Sequence, residues 1–361
     1  MVIEQYTIAT PPKYNFPQPT IDEALPQRLL EQSMGSLRYP QRQHFQLNQQ
    51  SFQQSAKIDL HAETLQLGMQ PILLKPIHEE TQIAACDTST IKIGETSTGI
   101  LIAVRGANVW KKHRSYKYNR FGPFIFHITE ENKKEVYDAI ERAYFVSGRV
   151  QGHPGIVNLM QNPTRIASLL ERWLQATLSR VLNNGIVLFD GSLTAGTVDT
   201  PIERLRGILV KARECKNVVL AFSKITNLRA KGRLITDLAL ERGTPYLLET
   251  TGLRPKPPIV LLGDVYVARL SHRSFAFRLD IDKEDPYEQR IEALGKLIGN
   301  DVLSQGYPET LRLAHILCTF TANEVIAMQH FVARRCGLII INRPDMHRLL
   351  FGPFGRGESY S

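Results

Sequence analysis

Cysteine is scarce in this sequence: four among 361 residues, Cys86, Cys215, Cys318 and Cys336, with no CxxC pair. That excludes a zinc ribbon or a disulfide framework and suits a reducing compartment. Acids are the scarcer charge, 35 against 44 basic residues, for a net charge of +9 and a pI of about 9.4. Such a surplus favours a polyanionic partner, nucleic acid ahead of anionic membrane. No run approaches the roughly 18 apolar residues of a membrane span. The segment MVIEQYTIATPPKYNFPQPT has neither a basic leader nor an apolar core. A cytoplasmic protein with no membrane association is the expectation. Internal repeats and heptads are absent too.

Prolines 11, 12, 17 and 19 mark an extended arm, Glu23–Gln32 reads as a short helix, and Gln41–Gln54 as a flexible or partly helical polar stretch. Ordered structure is expected from near Ile72. Residues 81–93, Gly99–Val109 and Gly122–Thr129 read as strands whose short links imply an antiparallel meander. Helices follow at 130–145, capped by Thr129, and at 164–182. Ile186–Asp190, a helix at 200–214, Val218–Ser223 and a helix at 230–241 alternate as parallel strands with helical crossovers do. Strands at 258–268 and 274–282 and helices at 286–299, 308–319 and 323–335 complete an α/β chain. Three antiparallel strands followed by strand–helix alternation is the RNase H-like arrangement: a mixed sheet flanked by helices.

Asp87, in Cys86-Asp87-Thr88-Ser89, and Asp190, in Phe189-Asp190-Gly191-Ser192, each follow an apolar run and precede a small polar turn. Residues just past strand ends line the crevice of an α/β sheet; singly, either aspartate reads equally as a turn former. Two carboxylates brought together repel unless a proton or cation lies between them. Mg²⁺ or Mn²⁺ with oxygen ligands resolves this, and such a site activates water against a phosphodiester. Glu171, mid-helix before Asp190, is the candidate third carboxylate, or else a solvated glutamate beside an arginine.

The ordered set Asp87-Thr88-Ser89, Asp190-Gly191-Ser192-Leu193, Ser223-Lys224 and Gly306-Tyr307-Pro308-x-x-Leu311-x-x-Ala314-His315 resembles NurA-family nucleases over roughly residues 80–320. The resemblance implies an RNase H-like nuclease domain at 76–345, behind an N-terminal extension (1–75) and ahead of a tail (346–361). It implies a Mn²⁺- or Mg²⁺-dependent deoxyribonuclease with 5′→3′ exonuclease and single-strand endonuclease action, a homodimer, and a HerA-type hexameric ATPase partner in DNA end resection and repair. Asp87, Glu171 and Asp190 match the metal carboxylates, and Tyr307 and His315 the C-terminal pair. A helix starting at Pro308 puts His315 two turns on, near the face of Tyr307. Lys224 is placed to meet phosphate charge. Packed or surface roles remain open for His315 and Lys224. The first motif departs from the family's Asp-Gly-Ser, and the threonine narrows the backbone options of a turn.

Arg105–Gly122 holds six cations and no acid: Arg105, Lys111, Lys112, Arg114, Lys117 and Arg120, interleaved with Trp110, Tyr116, Tyr118 and Phe121. Cations on phosphates with rings for base stacking are what single-strand binding uses; a solvated hairpin with aromatics packed on the sheet is the plain alternative. Arg229, Lys231 and Arg233 extend the basic surface. Two rival functions fit part of this pattern. An actin-like ATPase or kinase shares the topology, and Asp190-Gly191-Ser192 could pass for its second phosphate loop, but the first hairpin here is not glycine-rich and no Gly-Gly adenosine loop stands near the C-terminus. A non-catalytic DNA-binding subunit needs no carboxylate cluster.

Overall fold

The computed structural model describes residues 25–341 apart from 39–42, 52–64, 69, 145–158, 160–161, 198, 240–242, 244 and 273. Helix α1 (Leu25–Ser36) and strand β1 (His44–Ser51) come first, then the long strands β2 (Ile83–Glu95), β3 (Gly99–Lys112) and β4 (Ser115–Thr129). Next are α2 (Lys133–Tyr144), α3 (Asn162–Val181), β5 (Ile186–Asp190), α4 (Ile202–Glu214) and β6 (Val218–Ser223). Strands β7 (Tyr246–Thr251), β8 (Gly263–Arg269) and β9 (Phe277–Asp282) precede α5 (Tyr287–Asn300), α6 (Glu309–Cys318), α7 (Ala322–Cys336) and β10 (Ile339–Ile341).

Strands β4, β3 and β2 form the antiparallel meander; β5 and then β6 add in parallel; β9, β8 and β7 extend the sheet antiparallel. This is the mixed α/β sheet expected, in RNase H-like order. Period-two alternation sorts its side chains into two layers. Along β3, Ile100, Ile102 and Val104 join α1–α4 through Leu25, Leu29, Val136, Leu170 and Leu205. On the other face Leu101 and Ala103 meet Val325, Met328 and Val332 of α7, and Val109 shares a core with Leu294 of α5 and Leu311 of α6. A Cβ on Gly106 would sit 2.8 Å from Leu174 Cδ1, so glycine lets α3 seat closely on β3.

Several elements depart from the sequence expectations. Gln41–Gln54 contains β1, paired with β2 and β10, and α1 buries Leu25 and Leu29 in the main core. The N-terminal extension therefore contributes to the same sheet. Backbone pairing supplied what side-chain periodicity did not signal. The helix expected at 230–241 is a tight hairpin, Arg229–Ala230 against Arg233–Leu234, followed by a short 3₁₀ turn at Ile235–Leu238. Lys231 (φ 50°) and Gly232 (φ 78°) give the left-handed pair that such a two-residue turn requires. Helix α2 starts at Lys133, after the expected Thr129–Glu130, and in the turn before it Thr129 and Asn132 each accept the other's backbone N–H with their side chains, at 3.1 and 2.8 Å. The proline-rich segment and the tail at 346–361 lie outside the described residues. No helix among the described residues is long and apolar enough to cross a membrane.

Helix α7 begins with a capping box: Thr321 Oγ1 accepts from Glu324 N, and the Glu324 carboxylate accepts from Thr321 N. Thr321→Ala removes half of it and is expected to cost about 1 kcal/mol in denaturant unfolding. An unchanged midpoint would show that tertiary packing alone holds this helix.

Candidate active site

The parallel register of β2 and β5 ends at Cys86 opposite Phe189. Asp87 and Asp190 each follow immediately, so they stand side by side on adjacent strands. Strand β1 takes over the same edge of β2 only at Ile91. Among the described residues no strand pairs with 87–90 on that edge, and the sheet opens there. Asp87 occupies no turn: β2 runs on to Glu95, where β-branched Thr88 is at ease, and Thr88 N donates to Asp87 Oδ1 at 2.7 Å. Asp190 does end its strand. Gly191, at φ +106°, takes the left-handed turn and donates to Phe222 O at 2.8 Å. Buried Asp280, gripped by Arg278 Nε and Nη2 at 2.7 Å each, accepts from Leu193 N and fixes the chain beyond that turn.

By alternation both aspartates face the α6 layer, whereas Glu171 comes from α3 on the other side of the sheet. Its Oε1 accepts from Gln175 Nε2 at 2.9 Å, and Gln175 in turn accepts from Arg172 at 2.6 Å. The pairing expected of a solvated glutamate is thus replaced by a buried relay. Burial pushes the Glu171 carboxyl up to about 7; Arg172 opposes this, and Asp87 and Asp190 add to it. Burial and then Asp87 likewise raise Asp190, against Lys224. The three carboxylates feel one another.

Lys224 Nζ is 2.8 Å from Asp190 Oδ2 and 5.8 Å from the centre of the Tyr307 ring. Tyr307 lies just before α6, edge-on to Phe222 with ring centres 6.1 Å apart. Burial, then Asp190 and Asp87, drive its phenol upward, yet the buried hydroxyl makes no hydrogen bond of good geometry. His315, two turns into α6, sets Nδ1 2.6 Å from Asp87 Oδ2, and its ring is half exposed. All six candidate residues, Asp87, Glu171, Asp190, Lys224, Tyr307 and His315, therefore gather at the open edge. A divalent cation fits this donor set: two carboxylates on adjacent strands and a third nearby, with burial and neighbouring carboxylates disfavouring the charge of Glu171 and Asp190.

The basic stretch does not act as one surface. Arg105 is 1% exposed, paired with Glu324 at 2.9 Å and stacked on Phe320 at 4.4 Å. Arg120 reaches the same carboxylate at 3.0 Å. Partial burial alone would raise Glu324, but Arg105, the Thr321 backbone and Arg120 hold it at about 2. Lys111 bonds to Asn300 O, Tyr116 donates to Asp301 at 2.9 Å, and Trp110 is half-buried on the α3 layer. These five were expected on a DNA surface; Arg105 and Lys111 are buried, and Trp110, Tyr116 and Arg120 are partly buried against partners in the fold. Lys112, Arg114, Lys117 and Tyr118 remain exposed at the hairpin tip, as do Arg229, Lys231 and Arg233 on the second hairpin.

The sequence profile of the NurA domain matches residues 81–317, well over half of the chain. The chain belongs to the NurA family. Among solved structures, the NurA nuclease from Sulfolobus solfataricus is 17% identical, with 73% of this chain and 88% of that one covered and a TM-score of 0.41. An endonuclease V from Bacillus subtilis is 12% identical over the same shares, with a TM-score of 0.32. Another from Streptomyces avermitilis is 13% identical over 68% and 85%, with a TM-score of 0.28. No curated protein matches. The membership rests on the domain match.

The matched span of this NurA-family chain contains Asp87, Glu171, Asp190, Lys224, Tyr307 and His315. Three contributors escaped the sequence reading. Gln175 is four residues after Glu171, a spacing that points to one helix face. Cys318 follows His315 by three, on the same face. Asp280 carried no local signal, because only the pairing of β9 with β6 brings it near the Gly191 turn.

Proposed function

We propose that this chain is a divalent-metal-dependent deoxyribonuclease that hydrolyses phosphodiesters at the Asp87–Glu171–Asp190 cluster. The observation that carries the reading is the meeting of these carboxylates with Lys224, Tyr307 and His315 at the opened edge of β2. Mn²⁺ or Mg²⁺, held by the three carboxylates, supplies Lewis-acid polarisation of the phosphodiester and a lowered pKa for water. Lys224, partly exposed beside Asp190, meets phosphate charge that builds during cleavage. Tyr307, buried beside Asp190, offers its hydroxyl to a phosphate oxygen. His315, held through Nδ1 by Asp87, presents its other nitrogen outward to hold or pass a proton.

The exposed tip Lys112–Arg114–Lys117 and the hairpin Arg229–Lys231–Arg233 track the DNA backbone. Replacing Lys112, Arg114 and Lys117 together with alanine is expected to weaken DNA binding and flatten its log–log salt dependence by up to about one unit per cation removed. An unaltered slope in a binding titration would take this hairpin out of the interface.

The family resemblance adds 5′→3′ exonuclease and single-strand endonuclease action, a homodimer, and work with a HerA-type hexameric ATPase in end resection during DNA repair. The deciding assay incubates the full chain with end-labelled single- and double-stranded DNA, with Mn²⁺, Mg²⁺ or EDTA. Metal-dependent shortening that EDTA stops is the expected result. Cleavage that persists in EDTA would overturn the metal mechanism, and DNA binding with no cleavage in any metal would favour a non-catalytic subunit. Sedimentation of the chain alone and with the ATPase tests the assembly.

A further inference from the structure

We propose that Asp87, His315 and Cys318 form a second metal site, which takes a borderline or soft divalent ion such as Zn²⁺ and so inhibits the enzyme. One donor atom from each residue, a carboxylate oxygen, an imidazole nitrogen and the thiol sulfur, lies within 4.8 Å of the other two. Donor atoms on a tetrahedral zinc stand about 3.3–3.7 Å apart, as bond lengths of about 2.0–2.3 Å require. Side-chain rotations that draw the sulfur in and part the closer Asp87–His315 pair would reach that spacing.

The backbone predisposes these residues to chelate. His315 and Cys318 are three apart on α6 and share a face. Asp87 projects from mid-strand, locked against β3 on one edge. Its Oδ2 already meets His315 Nδ1 at 2.6 Å, and Cys318 Sγ lies 3.2 Å from His315 O. The half-exposed His315 ring gives entry from solvent and leaves room for water as a fourth ligand.

Donor chemistry separates the two sites. Glu171, Asp190 and Asp87 offer only oxygen, which suits Mg²⁺ or Mn²⁺; nitrogen and sulfur with one carboxylate suit Zn²⁺. Binding exchanges the Cys318 thiol proton for the ion and passes it to solvent, while the proton shared by Asp87 and His315 Nδ1 moves to Nε2 of the ring. Because Asp87 belongs to both sets, an ion on the sulfur side withdraws it from the all-oxygen site and ties up His315. A packed thiol beside a simple Asp87–His315 hydrogen bond would need no ion. Binding stands without the nuclease reading; the inhibition rests on it.

The metal-free full chain is therefore titrated with Co²⁺ and watched for thiolate-to-cobalt charge-transfer absorption in the near ultraviolet. One equivalent is expected to saturate the band and Zn²⁺ to remove it. Cys318→Ser and His315→Ala should lose the band, while Asp190→Asn should keep it. No band in the wild type, or a band that survives Cys318→Ser, overturns the site. Mn²⁺-supported DNA cleavage is then followed against Zn²⁺, each protein normalised to its own zinc-free rate. Loss of even an outer partner typically costs a metal site about 10–100-fold in affinity, so Cys318→Ser should need at least about tenfold more Zn²⁺ for half-inhibition. Equal sensitivity of the two proteins overturns the inhibition. Absent cleavage everywhere refutes the nuclease reading instead and leaves the cobalt result to decide the site.

Discussion

Asp190→Asn is expected to lower DNA cleavage by about 10³-fold, a loss of about 4 kcal/mol in transition-state stabilisation, while the fold and DNA binding persist. Asparagine keeps the shape and one carbonyl oxygen, so Lys224 retains an acceptor at the position it now holds at 2.8 Å. What disappears is the charge that, with neighbouring Asp87, makes this end of the sheet attractive to a cation. DNA should bind as tightly or more tightly, because one source of repulsion toward phosphate is gone. Cleavage rates and binding constants measured on the same preparation separate the two effects. A variant that cuts within tenfold of the wild type would remove Asp190 from the chemistry.

Without metal, stability should fall as pH rises between about 4.5 and 7. Glu171 titrates near 4.5 in the open chain and at about 7 in the fold, mainly through burial. The unfolded chain loses its proton first, so Glu171's contribution is complete below about 4.5 and is lost as pH passes about 7. Its size is about 3 kcal/mol. Asp190, also raised, pushes the same way. Glu171→Gln should flatten this slope and raise stability at pH 8, since glutamine still accepts from Gln175. Added Mn²⁺ should restore the wild type at that pH and help the variant less. Denaturant melts across pH, with and without Mn²⁺, measure it; parallel curves for wild type and variant would show that Glu171 carries no strain in the fold.

The differences between sequence expectation and structure have identifiable causes. Strand β5 and helix α3 were legible because an unbroken apolar run and a 3.6-residue period are local signals. Strand β1 was not, because its glutamine-rich residues show no alternation and its place comes from partners at 91–95 and 339–341. The hairpin at 229–234 was misread because the flanking apolar residues also fit a helix, and the Lys231-Gly232 turn decides otherwise. Five residues of the cluster could be named in advance from motif order, and Glu171 from its helix and the family resemblance. Their meeting could not, since it needs the register that sets Cys86 opposite Phe189 and the seating of α6 against β2.

By itself, then, the chain determined its charge, its run of elements and the residue types able to hold a cation, all properties of neighbours along the backbone. The tertiary structure decided which basic residues face solvent and which pair with acids, as when Arg105 met Glu324 instead of DNA. It also decided that a cysteine stands beside Asp87. Both outcomes depend on which face of a strand meets which helix, and that follows from long-range packing and burial of the whole sheet.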